Sequence, residues 1–254
     1  MFITMSPLEQ FQILPLIPLR FIGNYDFSFT NGSLIILVAL GSFFFLIQMV
    51  VSSNGSFFIA PTRWQVVIET FYSVISNMLY DNLNTRGQQY FPFIFSLFMF
   101  VLLANLIGLI PYSFTITSHL IVTFALALMV FVGVNVICIK EHGFHMVSVF
   151  LPSGTSLGLA LLLVPIELVS YIFKPISLGV RLFANMMAGH TLLKVIAGFA
   201  WAMMTSSGLL FIAHVVPLLA LVLLVGLELG VAMIQAYVFT ILTCLYLNDS
   251  INLH

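Results

Sequence analysis

The chain has 254 residues, of which 61 % are hydrophobic and only 6 % charged, whereas soluble domains carry roughly 25 % charged residues. With a mean hydropathy of +1.18, it cannot dress itself in a water-facing surface and reads as a polytopic, all-α membrane protein. A net charge of −1 without a basic run excludes a nucleic-acid partner.

The chain opens MFITMSPLEQFQILPLIPLR. Glu9 and three prolines stand where a secretory signal needs a basic start and a clean apolar run, so residues 1–30 read as an irregular peripheral arm. Crossing about 30 Å of hydrocarbon takes about 20 mostly apolar residues. The first such stretch is Ser33 to Val51, a span placed at 31–52 and closed by the turn-like SSNGS at 52–56. The stretch at 61–87 differs in kind. Trp64, Val67, Ile68, Phe71, Ile75, Met78, Leu79 and Leu83 recur at helical spacing, with Arg63, Gln65, Glu69, Ser73, Asn77 and Asp81 mostly elsewhere. Pro61 or Thr62 would start such a helix well. The pattern predicts one amphipathic helix lying at the membrane interface or between spans, not a crossing.

Two ordinary spans follow within 91–139, and the polar KEHGFH (140–145) and LPSGTS (151–156) lead into two stretches of unusual length. As helices, Leu157 to Ala200 and Gly208 to Leu247 would measure about 66 and 60 Å, twice the membrane thickness. Each is either a pair of spans with a tight turn, the first turning at FKPISLG, or one long tilted helix. Single prolines (Pro165, Pro175, Pro217) kink membrane helices more often than they end them, and the residues alone leave both readings open. No internal repeat or linker is visible, so 1–254 reads as a single membrane domain. Cys138 and Cys244 lie in apolar stretches without metal-type spacing and read as free buried thiols.

A charge near the bilayer centre costs at least about 2.5–3.5 kcal/mol and is retained for a partner or a function. The long stretches hold Glu167, Lys174, Arg181, Lys194 and Glu228. The stems of Lys174 and Lys194 can snorkel to an interface. Arg181 cannot shed its proton; it is either buried against an internal carboxylate or kept for a partner. At 100° per residue Glu167, Lys174, Asn185 and Ala188 fall within about 40° of its azimuth, and His190 points about 180° away. On the last stretch Glu228 and Gln235 share nearly one face, with His214 on roughly the same side. A buried glutamate has a raised pKa and histidine titrates near neutrality, so Glu228 and His190 form a candidate proton-handling pair. Gly179, Ala184, Ala188, Gly189, Gly226, Gly230 and Ala232 flank these charges and permit close helix approach, by another subunit or within the chain.

SLGVRLFANMMAGH (177–190), ELGVAMIQAYVFTILTCLYL (228–247) and NLIGLIP (105–111) resemble the signature, the last helix and the earlier polar span of the subunit a family of F-type ATP synthases. SPLEQF near the start is similar to its plant-type mitochondrial form. The resemblance covers essentially the whole chain. It implies that Arg181 faces the carboxylate of a rotating c-ring, with Gln235 beside it and Asn185 one turn on. It implies that His190 and Glu228 line the inlet half-channel, in the mitochondrial order that bacterial relatives exchange, and that Glu167 with Ser170 belong to the outlet side. Asn105 matches the polar residue of the earlier span, but Gly108 stands where bacterial relatives often carry an acid. Lys174 and His214 are accessory candidates.

The fold so implied has about five membrane helices plus one interfacial helix, the last two (155–247) long, tilted and forming a hairpin against the c-ring. The implied function is a proton-translocating stator subunit in the mitochondrial inner membrane, N-terminus in the intermembrane space and C-terminus in the matrix. Its partners would be the c-ring, other Fo stator and peripheral-stalk subunits and the lipid bilayer, with protons as the transported ion. No metal or cofactor is expected. No G-x-x-x-x-G-K-[ST] motif occurs, so nucleotide chemistry would belong to other subunits. The alternative is a haem- or quinone-binding membrane subunit, but His119, His142, His145, His190, His214 and His254 lack the paired spacing of axial ligands. A purely structural membrane subunit would not need Arg181 and Glu228 at mid-helix.

Overall fold

In the computed structural model, residues 8–19, 28–51, 63–110, 113–143, 157–205 and 213–251 are described. The closing turn at 52–56, the helix start at Pro61 or Thr62, LPSGTS at 151–156, His145 and His254 lie outside them.

Six α-helices lie among the described residues. They are α1 (Asn31–Val51), α2 (Arg63–Leu83), α3 (Phe91–Gly108), α4 (Leu120–His142), α5 (Leu157–Thr205) and α6 (Val215–Ile251). Short 3-10 turns at Asn84–Tyr90 and Ile116–Ser118 flank α3 and α4. Among the described residues, five segments are long and apolar enough to cross a membrane: Asn31–Gln48, Gly87–Gly108, Leu120–His142, Leu162–Thr205 and Val215–Ile251. Helix α2 is not among them, and the chain is an all-α membrane protein.

The ambiguity over the long stretches resolves toward single helices. Helix α5 runs 49 residues with Pro165 and Pro175 inside it, and α6 runs 37. The FKPISLG segment lies within α5 and makes no turn, as expected where a membrane helix absorbs one lost backbone bond at a proline. Helix α1 starts at Asn31, the first residue of the span placed at 31–52 and two residues before the apolar stretch that opens at Ser33. Thr30 and Ser33 account for this start: the Thr30 N–H donates to Ser33 Oγ (3.0 Å) and the Ser33 N–H to Thr30 Oγ1 (3.4 Å), a reciprocal cap.

The arm is less irregular than its sequence predicts. Residues 15–17 (β1, Pro15–Ile17) and 29–30 (β2, Phe29–Thr30) pair antiparallel, Pro15 opposite Thr30 and Ile17 opposite Phe29. Asn31 fixes the pair. Its amide donates to the Gln12 carbonyl (3.0 Å) and its Oδ1 accepts the Leu14 N–H (3.2 Å). These bonds join residues 17 and 19 apart, beyond the reach of local periodicity.

The helices contribute to two compact units. One comprises Met1–Ile47, Met99–His119 and Leu182–Ala236; the other comprises Gln48–Phe98, Leu120–Arg181 and Tyr237–His254. In the first, Val101, Leu102, Ala104, Leu182, Ala232 and Ala236 are buried. Its turn at 113–119 buries Thr115, Thr117 and Ser118, and Thr115 Oγ1 donates to Ser118 Oγ at 2.8 Å. There His119 stacks on Phe114 (4.8 Å), and burial holds its imidazole below the usual range.

In the second unit α2 buries Ile75, Met78, Leu79 and Leu83, and Phe71 lies against Phe98 (5.9 Å). Only the C-terminal half of the predicted apolar stripe is covered, since Trp64 and Val67 are exposed. Cys138 and Cys244 are free and buried. Gly179 allows α5 to reach α4: a Cβ there would sit 3.1 Å from the Phe124 Cα and 3.2 Å from the Thr123 carbonyl oxygen.

Candidate functional site

In the first unit, α3, α5 and α6 bring together polar groups that the bilayer would otherwise exclude. Glu228 is 8 % exposed, and both carboxyl oxygens are buried without a hydrogen-bond partner among the described residues. It lies against α5 because position 189 is glycine. A Cβ there would fall 2.3 Å from Glu228 Oε1 and 3.1 Å from its Cδ, below any ordinary contact. The next residue, His190, presents a buried Nε2 that is likewise unpartnered. Leu109, Asn185, Met186, His190, Glu228 and Val231 line one small recess of about 180 Å³.

One helical turn before Gly189, Asn185 Nδ2 donates to Gln235 Oε1 at 2.8 Å. Gln235 is buried on the Glu228 face of α6, as its seven-residue spacing predicts. As numbers rise from 185 to 189 on α5, their partners fall from 235 to 228 on α6, so the two segments run antiparallel in this unit. Fully buried Asn105 donates from Nδ2 to the Ala232 carbonyl (3.3 Å), while its Oδ1 has no partner among the described residues. It therefore grips α6 between Glu228 and Gln235. His214, just before α6, is half-buried and does not line the recess.

An unpaired buried polar group costs about 1–3 kcal/mol, and more if charged, and nearly all are satisfied in native proteins. Four buried atoms on Asn105, His190 and Glu228 have no hydrogen-bond partner among the described residues, which makes this recess the candidate site. A carboxyl and an imidazole lining one recess are side-chain types that serve as general acids and bases.

The second unit holds the other ionisable candidates. Arg181 is exposed and makes no hydrogen bond or ion pair to another described residue. The reading of Arg181 as a structural arginine held by an internal acid therefore finds no such acid among the described residues. Glu167 and Ser170 are exposed on α5.

Lys174 makes an ion pair near the end of α6. Its Nζ meets Asp249 Oδ2 at 3.0 Å and lies over the rings of Tyr171 (5.6 Å) and Tyr246 (5.1 Å). Tyr171 in turn donates its hydroxyl to Asn135 Oδ1. Sequence reasoning missed Asp249 because it follows Leu247 in the polar NDS tail, 75 residues from its partner. An acid at the foot of a helix whose face carries Tyr246 was the available signal.

The small residues divide by role. Gly179, Gly189 and Ala232 are used inside the chain. Ala184, Ala188 and Gly226 are exposed, and added Cβ atoms at Gly226 and Gly230 would meet nothing within 4 Å. Ala184 and Ala188, on the side of α5 that also carries exposed Arg181 and Asn185, leave room for a further helix.

Comparison with known proteins agrees with this geometry. The family model described as ATP synthase A chain matches residues 33–248. The chain is 61 % identical over 250 residues to ATP synthase subunit a of Pylaiella littoralis, covering 98 % of this chain and 99 % of that one. It is 50 % identical over 253 residues to ATP synthase subunit a of Chondrus crispus, covering 100 % and 98 %. To ATP synthase subunit a of Paramagnetospirillum magneticum it is 48 % identical over 252 residues, covering 98 % and 99 %. These relatives lend nothing to the haem- or quinone-binding alternative. The family-model match over residues 33–248 and these near full-length identities establish that the chain belongs to the ATP synthase A chain family.

Proposed function

We propose that this chain is the proton-conducting stator subunit of an F-type ATP synthase, working against a ring of c subunits in the mitochondrial inner membrane. The observation that carries the proposal is the Glu228 carboxyl, buried and unpartnered in a recess it shares with His190. Protons reach this pair from the intermembrane space. His190 and Glu228 pass them on by alternately accepting and donating, with the Asn105 Oδ1 and the Asn185–Gln235 pair supplying acceptors and donors beside the path. The proton neutralises a rotor carboxylate, which can then move into lipid. After nearly a full turn it is released toward the matrix past Glu167 and Ser170.

Arg181 keeps the passing rotor carboxylate ionised, because an opposite charge within about 4–6 Å lowers a carboxyl pKa. Its fixed charge also opposes a direct proton leak between the two half-channels. Exposure of Arg181, with no ion pair to another described residue, favours this role. Helices α5 and α6 form the hairpin presented to the ring, and exposed Ala184, Ala188 and Gly226 permit the approach. The chain acts as one membrane domain, N-terminus in the intermembrane space and C-terminus in the matrix. ATP is made by other subunits, while the peripheral stalk and other stator subunits hold the chain against the ring.

The test is passive proton conduction through reconstituted Fo carrying Glu228→Gln, with Gln48→Ala as a membrane-helix control. The proposal expects Glu228→Gln to slow conduction by more than tenfold and Gln48→Ala to leave it near wild type. Equal conduction in the two variants would remove Glu228 from the path.

A further inference from the structure

The peripheral arm carries an apolar surface that the proton path does not use. Along 8–19 the only charged residue is Glu9, and Ile13, Leu14, Leu16 and Ile17 are 59, 59, 51 and 56 % exposed. The depth of this surface follows from its attachment. Helix α1 has 21 residues and measures about 32 Å at 1.5 Å per residue, close to the roughly 30 Å of a hydrocarbon core. Its first residue, Asn31, therefore stands at a hydrocarbon boundary, where polar Thr30 and Ser33 also gather. Asn31 is bonded on both sides to the arm: its backbone N–H donates to the Leu14 carbonyl (3.1 Å), and its side chain holds the Leu14 N–H and the Gln12 carbonyl. Residues 12–17 are thus tied to the level of that boundary.

Extended backbone turns successive side chains to opposite faces. Leu14 and Leu16 share one face and Ile13, Pro15 and Ile17 the other, so the arm is apolar and exposed on both. A protein partner docking on a strand covers one face and favours aromatic and arginine anchors; residues 13–17 have neither. Prolines at 15 and 18 also remove two backbone N–H donors, which eases contact with a medium poor in acceptors.

We propose that residues 13–17 are inserted into the headgroup–acyl boundary of the bilayer, as a lipid anchor clamped to the start of the first membrane helix through Asn31. With no basic residue in the segment, insertion depends on apolar area and not on anionic lipid.

The experiment uses the complete ATP synthase reconstituted in vesicles of a zwitterionic phospholipid. Nitroxide labels are placed singly through Ile13→Cys, Leu14→Cys, Leu16→Cys and Ile17→Cys, with retained ATP synthesis as the check on assembly. Collision rates with oxygen and with a water-soluble nickel chelate are then compared. At all four positions the oxygen-to-nickel ratio should exceed that of free label in water, and adding anionic lipid should leave it unchanged. Ratios equal to water at the four positions would overturn the proposal. So would shielding of Leu14→Cys and Leu16→Cys from both reagents while the other face stays open, or shielding of all four, since either pattern identifies a protein cover.

Discussion

Gly189→Ala is a one-carbon perturbation aimed at the site's tightest contact. The added Cβ would lie 2.3, 3.1 and 3.3 Å from Glu228 Oε1, Cδ and Cγ, where ordinary contact begins at 3.4 Å. The carboxyl must retreat by about 1 Å, and because Cγ is also too close, rotation of the terminal group alone does not relieve the clash. Overfilling a packed interior costs about 1–3 kcal/mol, and each 1.4 kcal/mol corresponds to a factor of about 10. A proton relay works over hydrogen-bond distances, so a displacement of this size should slow it at least about tenfold. The assay is passive proton flux into vesicles carrying reconstituted Fo, read by a pH-sensitive dye at fixed membrane potential. Gly198→Ala on the same helix is the control, because a Cβ there meets nothing within 4 Å. It should leave flux unchanged and, if anything, favour the helix by about 0.5–1 kcal/mol. Wild-type flux in assembled Gly189→Ala would refute the reasoning that links Glu228 placement to conduction.

Asn105→Leu removes the orphaned Oδ1 and the hydrogen bond to the Ala232 carbonyl at nearly constant volume. The complex should change in stability by no more than about 1 kcal/mol in a thermal-unfolding scan, while proton flux falls, since α6 loses its grip and the path an acceptor. Asp249→Asn breaks the Lys174 pair, whose side chains are 28 % and 56 % exposed. Solvent screening limits the loss to about 0.2–1 kcal/mol, seen as a small drop in melting temperature, and a large loss would mean the pair is better shielded than its exposure indicates. Ala188→Cys should form a disulfide with a cysteine placed beside the rotor carboxylate of a c subunit, while Ala232→Cys, fully buried on α6, should not.

Much of the fold is legible in the sequence, because hydrocarbon thickness imposes a length on every span and the charged faces of α2 mark it as different. The undecided point was whether Leu157 to Ala200 folds back on itself. Hydropathy measures the medium and not the direction of the chain, and Pro175 breaks a backbone bond without dictating a turn, so α5 passes straight through it. The arm's strands were invisible for another reason: their pairing depends on Asn31 reaching back 17 and 19 residues.

At the site, the cost of burying charge singled out Glu228 and Arg181, and seven-residue spacing placed Gln235 on the Glu228 face. Spacing within one helix could not bring Glu228 beside His190, nor reveal that Gly189 makes the room. Their side-chain chemistry and the family resemblance suggest the pairing, but the recess they share is a tertiary fact. Lys174 and Asp249 show the same limit, as each residue alone fits a solvated end and only their meeting makes an ion pair.

The most direct test of the account is proton-driven ATP synthesis by the reconstituted complex carrying Arg181→Ala. With the fixed charge gone, nothing holds a passing rotor carboxylate ionised, and synthesis should fall to background although the complex assembles. Synthesis at the wild-type rate in that variant would contradict the account.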